Sequence, residues 1–246
     1  MTTVLVHGVP EDLHIWDELR SELRERETVA LGLPGFGGQP LPTGFTPTKD
    51  NYAAWLADEL ARISSSAGPI DLVGHDWGGI LTLRLVLTRP ELVRSFVTDA
   101  VGFIHPEFVW HALAKIWQTP GAGEKYMSDL AAVSLEQRTA QLRSFGVSPS
   151  YARRMAEANP VRDQCILDLY RSSLTINVDW SAGGRPTPPG LFVLGDKDPF
   201  AAPEKSTALA TELGLPTKLL ANTGHFWPTQ SPGPAAAVLR EFWATL

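Results

Sequence analysis

The sequence predicts an α/β protein, with a mainly parallel sheet of about six strands, helices on both faces and a helical insertion. Short apolar runs rich in β-branched residues alternate along the chain with segments of helical periodicity. These runs are apolar at successive positions, which is typical of strands that are covered on both faces. One long stretch, residues 102–180, has helical periodicity and no clear strand. Together the three observations indicate a layered sheet that one helical segment interrupts.

Each predicted strand is short, and a polar or glycine-containing turn follows most of them. The strands cover residues 3–6, 28–31, 69–73, 95–98, 189–194 and 217–220. The helices between them cover residues 13–25, 50–64, 78–88, 202–213 and 234–243. Asp50 is the expected N-cap of the second helix, and Pro90 follows the end of the third. Side chains that come directly after parallel strands meet at one edge of the sheet, where ligands bind.

The helical insertion is the one segment that departs from this alternation. Its helical patterns cover residues 108–117, 124–132, 135–145, 151–158 and 163–174. A connector rich in proline and glycine, residues 181–190, leads to the next strand. An all-helical insertion at the ligand-binding edge is typical of a cap over a site. We therefore expect a core of residues 1–101 and 186–246 and a helical cap of residues 102–185.

Charge and composition exclude several classes of partner. A formal net charge of −6 over 246 residues, without a lysine or arginine run, offers no electrostatic reason to bind nucleic acid or an anionic membrane. No apolar run approaches the roughly 20 residues needed to span a bilayer. The single cysteine, Cys165, excludes an intrachain disulfide and fits a reducing compartment. With no leader-like segment after Met1, we expect a cytoplasmic protein, either a monomer or a homodimer.

The stretch Gly74-His75-Asp76-Trp77-Gly78-Gly79 follows a predicted strand and opens a helix. Small residues on both sides of Asp76 fit a sharp, strained turn that exposes one side chain, the arrangement of a nucleophile elbow. A carboxylate that attacks a saturated carbon forms an ester, which water can cleave, whereas a serine would form an inert ether. Asp76 therefore predicts a substrate that is opened at an sp3 carbon, such as an epoxide or an alkyl halide.

Cleavage of such an ester needs a base that activates water. His225, on a glycine-containing loop after the last strand, is the candidate base. The carboxylate that orients it is expected to be Asp198, which follows the preceding strand and gives the chain order nucleophile, acid, base. Asp99, after an earlier strand, and Asp196, as a turn-forming residue, are the alternatives.

The ester carbonyl becomes an oxyanion during hydrolysis and needs hydrogen-bond donors. The expected donors are the backbone N–H of Trp77, directly after the nucleophile, and that of Val9, in the loop after the first strand. Pro10 has no N–H to give. The expected pocket wall includes four ring-bearing residues, namely His7, Trp117, Phe226 and Trp227.

Taken together, these motifs resemble α/β-hydrolases of the epoxide hydrolase and haloalkane dehalogenase branch. The resemblance covers almost the whole chain and implies the α/β-hydrolase fold. It rests on His7-Gly8-Val9-Pro10, Leu33-Pro34-Gly35-Phe36-Gly37, the elbow at residues 74–79, Gly195-Asp196-Lys197-Asp198-Pro199 and Gly224-His225. The elbow with aspartate and tryptophan is specific to this branch, and the other motifs are shared with serine enzymes.

An epoxide opens to an alkoxide, which needs a proton donor. Epoxide hydrolases use cap tyrosines for this step, and Leu167-Asp168-Leu169-Tyr170-Arg171-Ser172 resembles one of their tyrosine segments, which implies Tyr170 as a donor. The stretch Trp117-Gln118-Thr119-Pro120-Gly121 is similar to a segment that follows their other tyrosine, and counting back places Leu113 there. The candidate substitutes for this second tyrosine are Tyr126, Tyr151 and His111.

A halide leaves as an anion and needs N–H donors instead. In many dehalogenases of this branch the tryptophan after the nucleophile supplies an indole N–H, which implies Trp77 here. Their usual second donor is an asparagine directly after His-Gly, where this chain has Val9, so Trp110 or Trp117 would have to replace it. Fluoroacetate-type dehalogenases usually carry arginine after the nucleophile to hold a carboxylate, and Trp77 argues against that substrate.

The sequence thus predicts an epoxide hydrolase that releases a vicinal diol from a small hydrophobic organic substrate. Asp76 is the expected nucleophile, His225 oriented by Asp198 activates water, and Tyr170 donates a proton. This mechanism needs no metal and no cofactor. A haloalkane dehalogenase and a non-hydrolytic binding protein of natural-product metabolism are the alternatives, because this fold hosts several functions.

Overall fold

Six parallel strands form one sheet at the centre of the structure, in the order β2-β1-β3-β4-β5-β6. The computed structural model describes residues 1–180 and 184–246. The strands are β1 (Thr2–Val6), β2 (Glu27–Leu31), β3 (Ile70–Gly74), β4 (Val93–Thr98), β5 (Gly190–Gly195) and β6 (Thr217–Leu220). All neighbours pair in parallel, so the carboxyl ends of the strands lie along one edge. The six strands expected from the sequence are confirmed.

Helices connect the strands and cover both faces of the sheet. They are α1 (Asp17–Glu22), α2 (Lys49–Ala67), α3 (Trp77–Thr88), α4 (Ala112–Gln118), α5 (Ala122–Ala132), α6 (Leu135–Ser144), α7 (Pro149–Met155), α8 (Pro160–Arg171), α9 (Ile176–Asp179), α10 (Pro203–Glu212), α11 (Trp227–Gln230) and α12 (Pro232–Trp243). Short 3₁₀ turns lie at Leu13–Trp16, Pro90–Leu92 and Gly102–Ile104. Across the described ranges, no helix has both the length and the apolar character needed to span a membrane.

Several helix boundaries differ from the sequence prediction, and two of the differences have a clear structural description. The segment predicted as one helix over residues 13–25 is a 3₁₀ turn followed by α1, which has only 6 residues. The N-cap of α2 is Thr48, whose hydroxyl accepts the N–H of Asn51, and not Asp50. Asp50 instead accepts a hydrogen bond from the indole of Trp180 at 2.8 Å. The Asp50 carboxylate therefore makes a tertiary contact instead of capping the helix as the local sequence predicted.

Successive side chains of each central strand enter two different buried clusters, one on each face of the sheet. Val4 and Val6 belong to the first cluster, and Leu5 belongs to the second. In the same way Leu72 lies in the first and Val73 in the second. Side chains of α2 and α3 complete the first cluster, and those of α1 and α12 complete the second. This coverage on both sides explains why the strands are apolar at successive positions.

The insertion between β4 and β5 consists of α4 to α9, and α7 packs differently from its neighbours. Buried side chains of α4 and α8, such as Trp117 and Tyr170, belong to the first cluster. Tyr151 and Met155 of α7 belong to the second cluster, together with Trp16. Both clusters therefore hold the insertion. The boundaries between core and cap stay a prediction, and residues 181–183 of the predicted connector lie outside the described residues.

A buried ion-pair cluster lies near the amino end of β3. Asp71 is fully buried, and its Oδ2 lies 2.5 Å from Nη2 of Arg26 and 2.8 Å from Nη2 of Arg94. The hydroxyl of Ser95 donates to Oδ1 at 2.6 Å. The cluster joins β3, β4 and the turn before β2, so it stabilises the end of the sheet opposite to the carboxyl edge.

Asp71→Ala is expected to lower the free energy of unfolding by about 3 kcal/mol, because two arginines would lose a buried counter-charge. Urea denaturation measures this change. The control is Asp17→Ala, which removes a carboxylate that is 53% exposed beside His14, and its expected cost is below about 0.5 kcal/mol. Equal losses in the two variants would contradict the role assigned to Asp71.

Candidate active site

The candidate site lies at the carboxyl ends of β1 and β3, where the strand order reverses and ligands bind in sheets of this type. Asp76 follows β3 with φ 51° and ψ −120°, and α3 begins at the next residue. A positive φ is strained for a residue other than glycine. A Cβ on Gly78 would lie 2.0 Å from the carbonyl oxygen of Val6, so only glycine fits beside this turn. The turn projects the Asp76 side chain from the end of the strand.

The two carboxylate oxygens of Asp76 have different surroundings. Oδ1 accepts the backbone N–H of Val9 at 2.9 Å. Oδ2 lies 3.7 Å from Nε2 of His225, and the side chain is 20% exposed. A Cβ on Gly8 would lie 2.5 Å from Oδ1, so this glycine is what lets the loop after β1 approach the carboxylate. One oxygen is therefore held by an N–H group, while the other can reach a reacting atom.

His225 follows β6, and its Nδ1 lies 2.9 Å from Oδ2 of Asp198. The other oxygen of Asp198 accepts the N–H groups of Phe200 at 2.7 Å and Ala201 at 3.2 Å. Asp196, one of the alternative acids, accepts the N–H of Thr223 and stabilises the turn. Among the three candidate acids, Asp198 is the one that contacts His225.

Burial and neighbouring charges set the protonation of these groups. Burial raises the pKa of Asp76 to about 6, although the nearby His225 opposes this shift. Burial would lower the pKa of His225, but its hydrogen bond to Asp198 and the charge of that carboxylate raise it above the usual value. Burial opposes ionisation of Asp198 as well, and the contact with His225 nevertheless holds its pKa below the usual value. At neutral pH the nucleophile candidate is ionised.

Asp99, the remaining alternative acid, lies behind Asp76 in a buried network that the sequence analysis missed. Its Oδ1 accepts the backbone N–H of Asp76 at 2.8 Å, and its Oδ2 contacts Nδ1 of His75. The other ring nitrogen of His75 lies 3.0 Å from Oε1 of Glu11, whose Oε2 accepts the N–H of Gly8 at 3.0 Å. The network therefore supports both the nucleophile turn and the loop after β1.

His75 carries the positive charge of this network. Its ring is fully buried, and burial alone would lower its pKa. The carboxylates of Glu11 and Asp99 instead raise the pKa of His75 well above the usual value, so the ring donates from both nitrogens. The only sequence signals for this network were a histidine and an acid placed directly after predicted strands. Glu11, in a loop, carried no signal of its own.

A cavity of about 470 Å³ opens in front of Asp76. Its wall is mainly apolar, which suits an organic ligand. It contains most of the site residues that the sequence predicts, namely Val9, Asp76, Trp117, Tyr170, Asp198, His225 and Phe226.

Two of the residues expected in the pocket wall lie behind it. His7 is fully buried, its Nε2 accepts the N–H of Leu33 at 2.9 Å, and its Nδ1 donates to the carbonyl oxygen of Gly8 at 2.7 Å. The indole of Trp227 donates to Oδ2 of Asp99 at 2.7 Å. Both rings stabilise loops at the sheet edge. Because His7 and Trp227 follow strands, the sequence predicted that they lie near the site. The direction in which each ring points depends on its hydrogen-bond partners in the folded chain.

The ring of Tyr170 lies among three tryptophans, with centroid distances of 5.5 Å to Trp77, 5.2 Å to Trp110 and 4.8 Å to Trp117. Burial raises the pKa of the Tyr170 hydroxyl, so it keeps its proton at neutral pH. The buried indole N–H of Trp117 has no acceptor among the described residues. Trp77 is the first residue of α3, and its backbone N–H belongs to the free N–H groups of the first helical turn.

The candidates for a second proton donor lie in different places. The hydroxyl of Tyr151 accepts the N–H of Asp12 at 2.7 Å, away from the cavity wall. Tyr126 and His111 both line the cavity. Nδ1 of His111 accepts the N–H of Ala114 at 3.2 Å, and burial lowers the pKa of His111. The neutral ring therefore carries its proton on Nε2 and remains a donor.

One group of metal-ligating side chains occurs in the described ranges, formed by Glu11, His75 and His225, with ligand atoms within 4.8 Å of one another. Both nitrogens of His75 already contact carboxylates, and Nδ1 of His225 contacts Asp198. These contacts leave fewer free ligand atoms than a metal ion requires. The arrangement favours acid–base chemistry.

Comparisons with known proteins agree with the fold. Residues 3–238 match the model of a family described as the Alpha/beta hydrolase family. Human epoxide hydrolase 4 (Homo sapiens) is 33% identical over 107 residues, which cover 42% of this chain and 28% of that protein. A fluoroacetate dehalogenase from Burkholderia sp is 34% identical over 110 residues, which cover 43% of this chain and 35% of that protein.

The structure of potato (Solanum tuberosum) epoxide hydrolase I is similar to that of this chain, with a TM-score of 0.79 at 18% identity. The alignment covers 100% of this chain and 93% of the potato chain. At this identity the similarity concerns the fold. The chain spans about a third of the length of the curated relatives that it matches.

The contact between His225 and Asp198 can be tested by proton NMR. In Asp198→Asn, the downfield resonance of the His225 Nδ1 proton is expected to disappear, because the amide no longer offers a charged acceptor. In Asp99→Asn the same resonance is expected to persist, and the resonance of the His75 Nδ1 proton is lost instead. Survival of the His225 resonance in Asp198→Asn would show that the contact is wrong.

Proposed function

The chain belongs to the alpha/beta hydrolase family, and we propose that within it the chain acts as an epoxide hydrolase that forms vicinal diols. The surroundings of the Asp76 carboxylate carry this proposal. One oxygen is held by the N–H of Val9, and the other lies 3.7 Å from Nε2 of His225. This geometry suits a nucleophile whose ester is later cleaved by water.

In the first step, Oδ2 of Asp76 attacks a ring carbon of the epoxide, and the bond between that carbon and the ring oxygen breaks. The ring oxygen becomes an alkoxide and takes a proton from the hydroxyl of Tyr170. His111 is the second donor in this proposal, because its neutral ring lines the cavity with a proton on Nε2. Its centroid lies 6.4 Å from that of Tyr170, so both can approach one substrate oxygen.

In the second step, Nε2 of His225 accepts a proton from a water molecule, whose oxygen attacks Cγ of the Asp76 ester. Oδ1 becomes the oxyanion and is stabilised by the N–H groups of Val9 and Trp77. The bond between Cγ and Oδ2 then breaks, the departing Oδ2 takes the proton held by His225, and the diol leaves with Oδ2 as its second hydroxyl oxygen. The water oxygen stays in the carboxyl group of Asp76, whose proton returns through solvent to the Tyr170 oxygen. Asp198 orients the ring of His225 and balances its positive charge.

The substrate is a small to medium-sized hydrophobic organic molecule. A mainly apolar cavity of about 470 Å³ is large enough for such a ligand. In this proposal residues 102–185 act as the cap, since α4 and α8 of the insertion contribute Trp117 and Tyr170 to the cavity wall. The cap excludes bulk water from the epoxide before the alkoxide is protonated.

Haloalkane dehalogenation is the second candidate function, because one observation favours it. A halide ion needs N–H donors, and the buried indole N–H of Trp117 has no acceptor among the described residues. The indole N–H of Trp77 lies beside the hydroxyl of Tyr170 instead. The rings of both tryptophans contact Tyr170, and Trp117 lines the cavity.

His225→Gln separates the two candidates by trapping the ester. With styrene oxide, the variant is expected to gain the full mass of the epoxide, because attack by Asp76 needs no base while ester hydrolysis does. Intact-protein mass spectrometry detects this adduct, and wild type is expected to release the diol. Asp76→Asn should gain no mass, and His14→Gln, at a partly exposed histidine, should behave like wild type. Halide release from haloalkanes without any diol from epoxides would overturn the proposal.

The pH dependence of the first step reports on Asp76, whose pKa burial raises to about 6. Because attack needs the ionised carboxylate, the single-turnover alkylation rate is expected to fall about tenfold per pH unit below pH 6. The charge of Glu11 contributes to the raised pKa, so Glu11→Gln should move the inflection to lower pH. Glu22→Gln is the control and should leave it unchanged. A wild-type inflection near the ordinary value of about 4 would contradict this assignment.

A further inference from the structure

We propose that α7 positions the oxyanion donor Val9 through a buried contact between Tyr151 and Asp12. The catalytic part of this inference rests on the proposed function, because it assigns a step of that mechanism to the contact. Tyr151 acts here as a positioning residue, since its hydroxyl lies away from the cavity wall.

The contact joins one helix of the insertion to the loop after β1. Tyr151 is 4% exposed, and its hydroxyl accepts the backbone N–H of Asp12 at 2.7 Å. One turn of α7 further on, Nε of Arg154 lies 2.8 Å from Oδ2 of Asp12. The same helix thus holds both the backbone and the side chain of one loop residue.

Asp12 lies three residues after Val9, and the short segment between them has little freedom. The N–H of Gly8 and one ring nitrogen of His75 contact the two oxygens of Glu11, each at 3.0 Å. Oδ1 of Asp12 accepts the N–H of His14 at 2.9 Å and caps the following 3₁₀ turn. Because the segment is held at several points, a displacement of Asp12 is transmitted to the N–H of Val9.

Helix α7 also reaches the substrate cavity. Met155 and Ala156 line the cavity, about one helical turn after Tyr151. A ligand that contacts these residues therefore contacts the same helix that holds Asp12. Helix α7 therefore links the cavity wall to the loop that carries the oxyanion donor Val9.

Apolar packing already holds α7 and the residues just before it. Val147, Ala152 and Met155 already lie in the second buried cluster. A buried hydroxyl is expensive unless it is hydrogen-bonded, and here its partner is the backbone of the loop that carries the oxyanion donor. A hydrogen bond fixes the direction and distance between two groups, whereas apolar packing does not. We therefore assign a positioning role to the Tyr151 hydroxyl.

The two chemical steps depend differently on this donor. During ester hydrolysis Oδ1 gains negative charge, so a displaced Val9 N–H slows that step. During alkylation the carboxylate loses charge, so the same displacement has little effect on the rate. Loss of the Tyr151 hydroxyl should therefore cause the ester on Asp76 to accumulate.

The test uses Tyr151→Phe, which keeps the ring and removes the hydroxyl. In single-turnover experiments with styrene oxide, we expect ester hydrolysis to slow about tenfold and alkylation to change less than about twofold. Arg154→Gln, which removes the other contact with Asp12, should shift the two rates in the same direction. The matched control is Arg153→Gln on the same helix, whose side chain is 62% exposed and which should match wild type. Equal slowing of both steps, or unchanged hydrolysis in both test variants, would overturn the proposal.

Hydrogen exchange provides a readout that needs no turnover. The amides of Gly8, Val9, Glu11 and Asp12 are expected to exchange faster in Tyr151→Phe and Arg154→Gln than in wild type and Arg153→Gln. Faster exchange without any ester would show that the contact positions the loop and that the proposed epoxide chemistry is wrong. Unchanged exchange in both test variants would refute the positioning role whatever the enzyme does. If Tyr151→Phe does not fold, Arg154→Gln decides the question.

Discussion

The charge balance around His75 is the constraint on which the site depends. The carboxylates of Glu11 and Asp99 are buried, and the carboxylate of Asp76 lies close to them with its side chain 20% exposed. Negative charges are costly to bury, and carboxylates at such short distances repel one another. The imidazolium of His75 supplies the compensating charge, since it contacts Glu11 and Asp99 directly and also lowers the pKa of Asp76.

The same ring also connects the two backbone segments that form the reactive centre. Asp99 accepts the N–H of Asp76, and Glu11 accepts the N–H of Gly8. An imidazolium has two donors at opposite ends of the ring, so it can hold both carboxylates at once. Electrostatics and geometry therefore depend on a single fully buried side chain, which links the nucleophile turn to the loop after β1.

The site divides its chemistry between two parts of the chain. The sheet edge provides Asp76, His225 and Asp198, which suit the formation and hydrolysis of an ester. The insertion provides Tyr170 and His111, which line the cavity and which, in the proposed mechanism, protonate the leaving oxygen. Under this proposal, a change of leaving group would require changes in the insertion and none at the sheet edge. Helix α7 is the exception to this division, because it packs with the second buried cluster and contacts the loop beside the nucleophile.

Local patterns in the sequence were sufficient for the parallel sheet and for the elbow turn at Asp76. An apolar run without alternation indicates a strand that is buried on both faces. Glycines on both sides of a polar residue indicate a crowded turn. Each of these signals is contained within a few consecutive residues. The pairing of His225 with Asp198, the inward turn of His7 and the hydrogen bond between Asp12 and Tyr151 required the folded chain. The last of these joins residues that are 139 positions apart. Such contacts depend on where whole helices pack, and no short stretch of sequence carries that information.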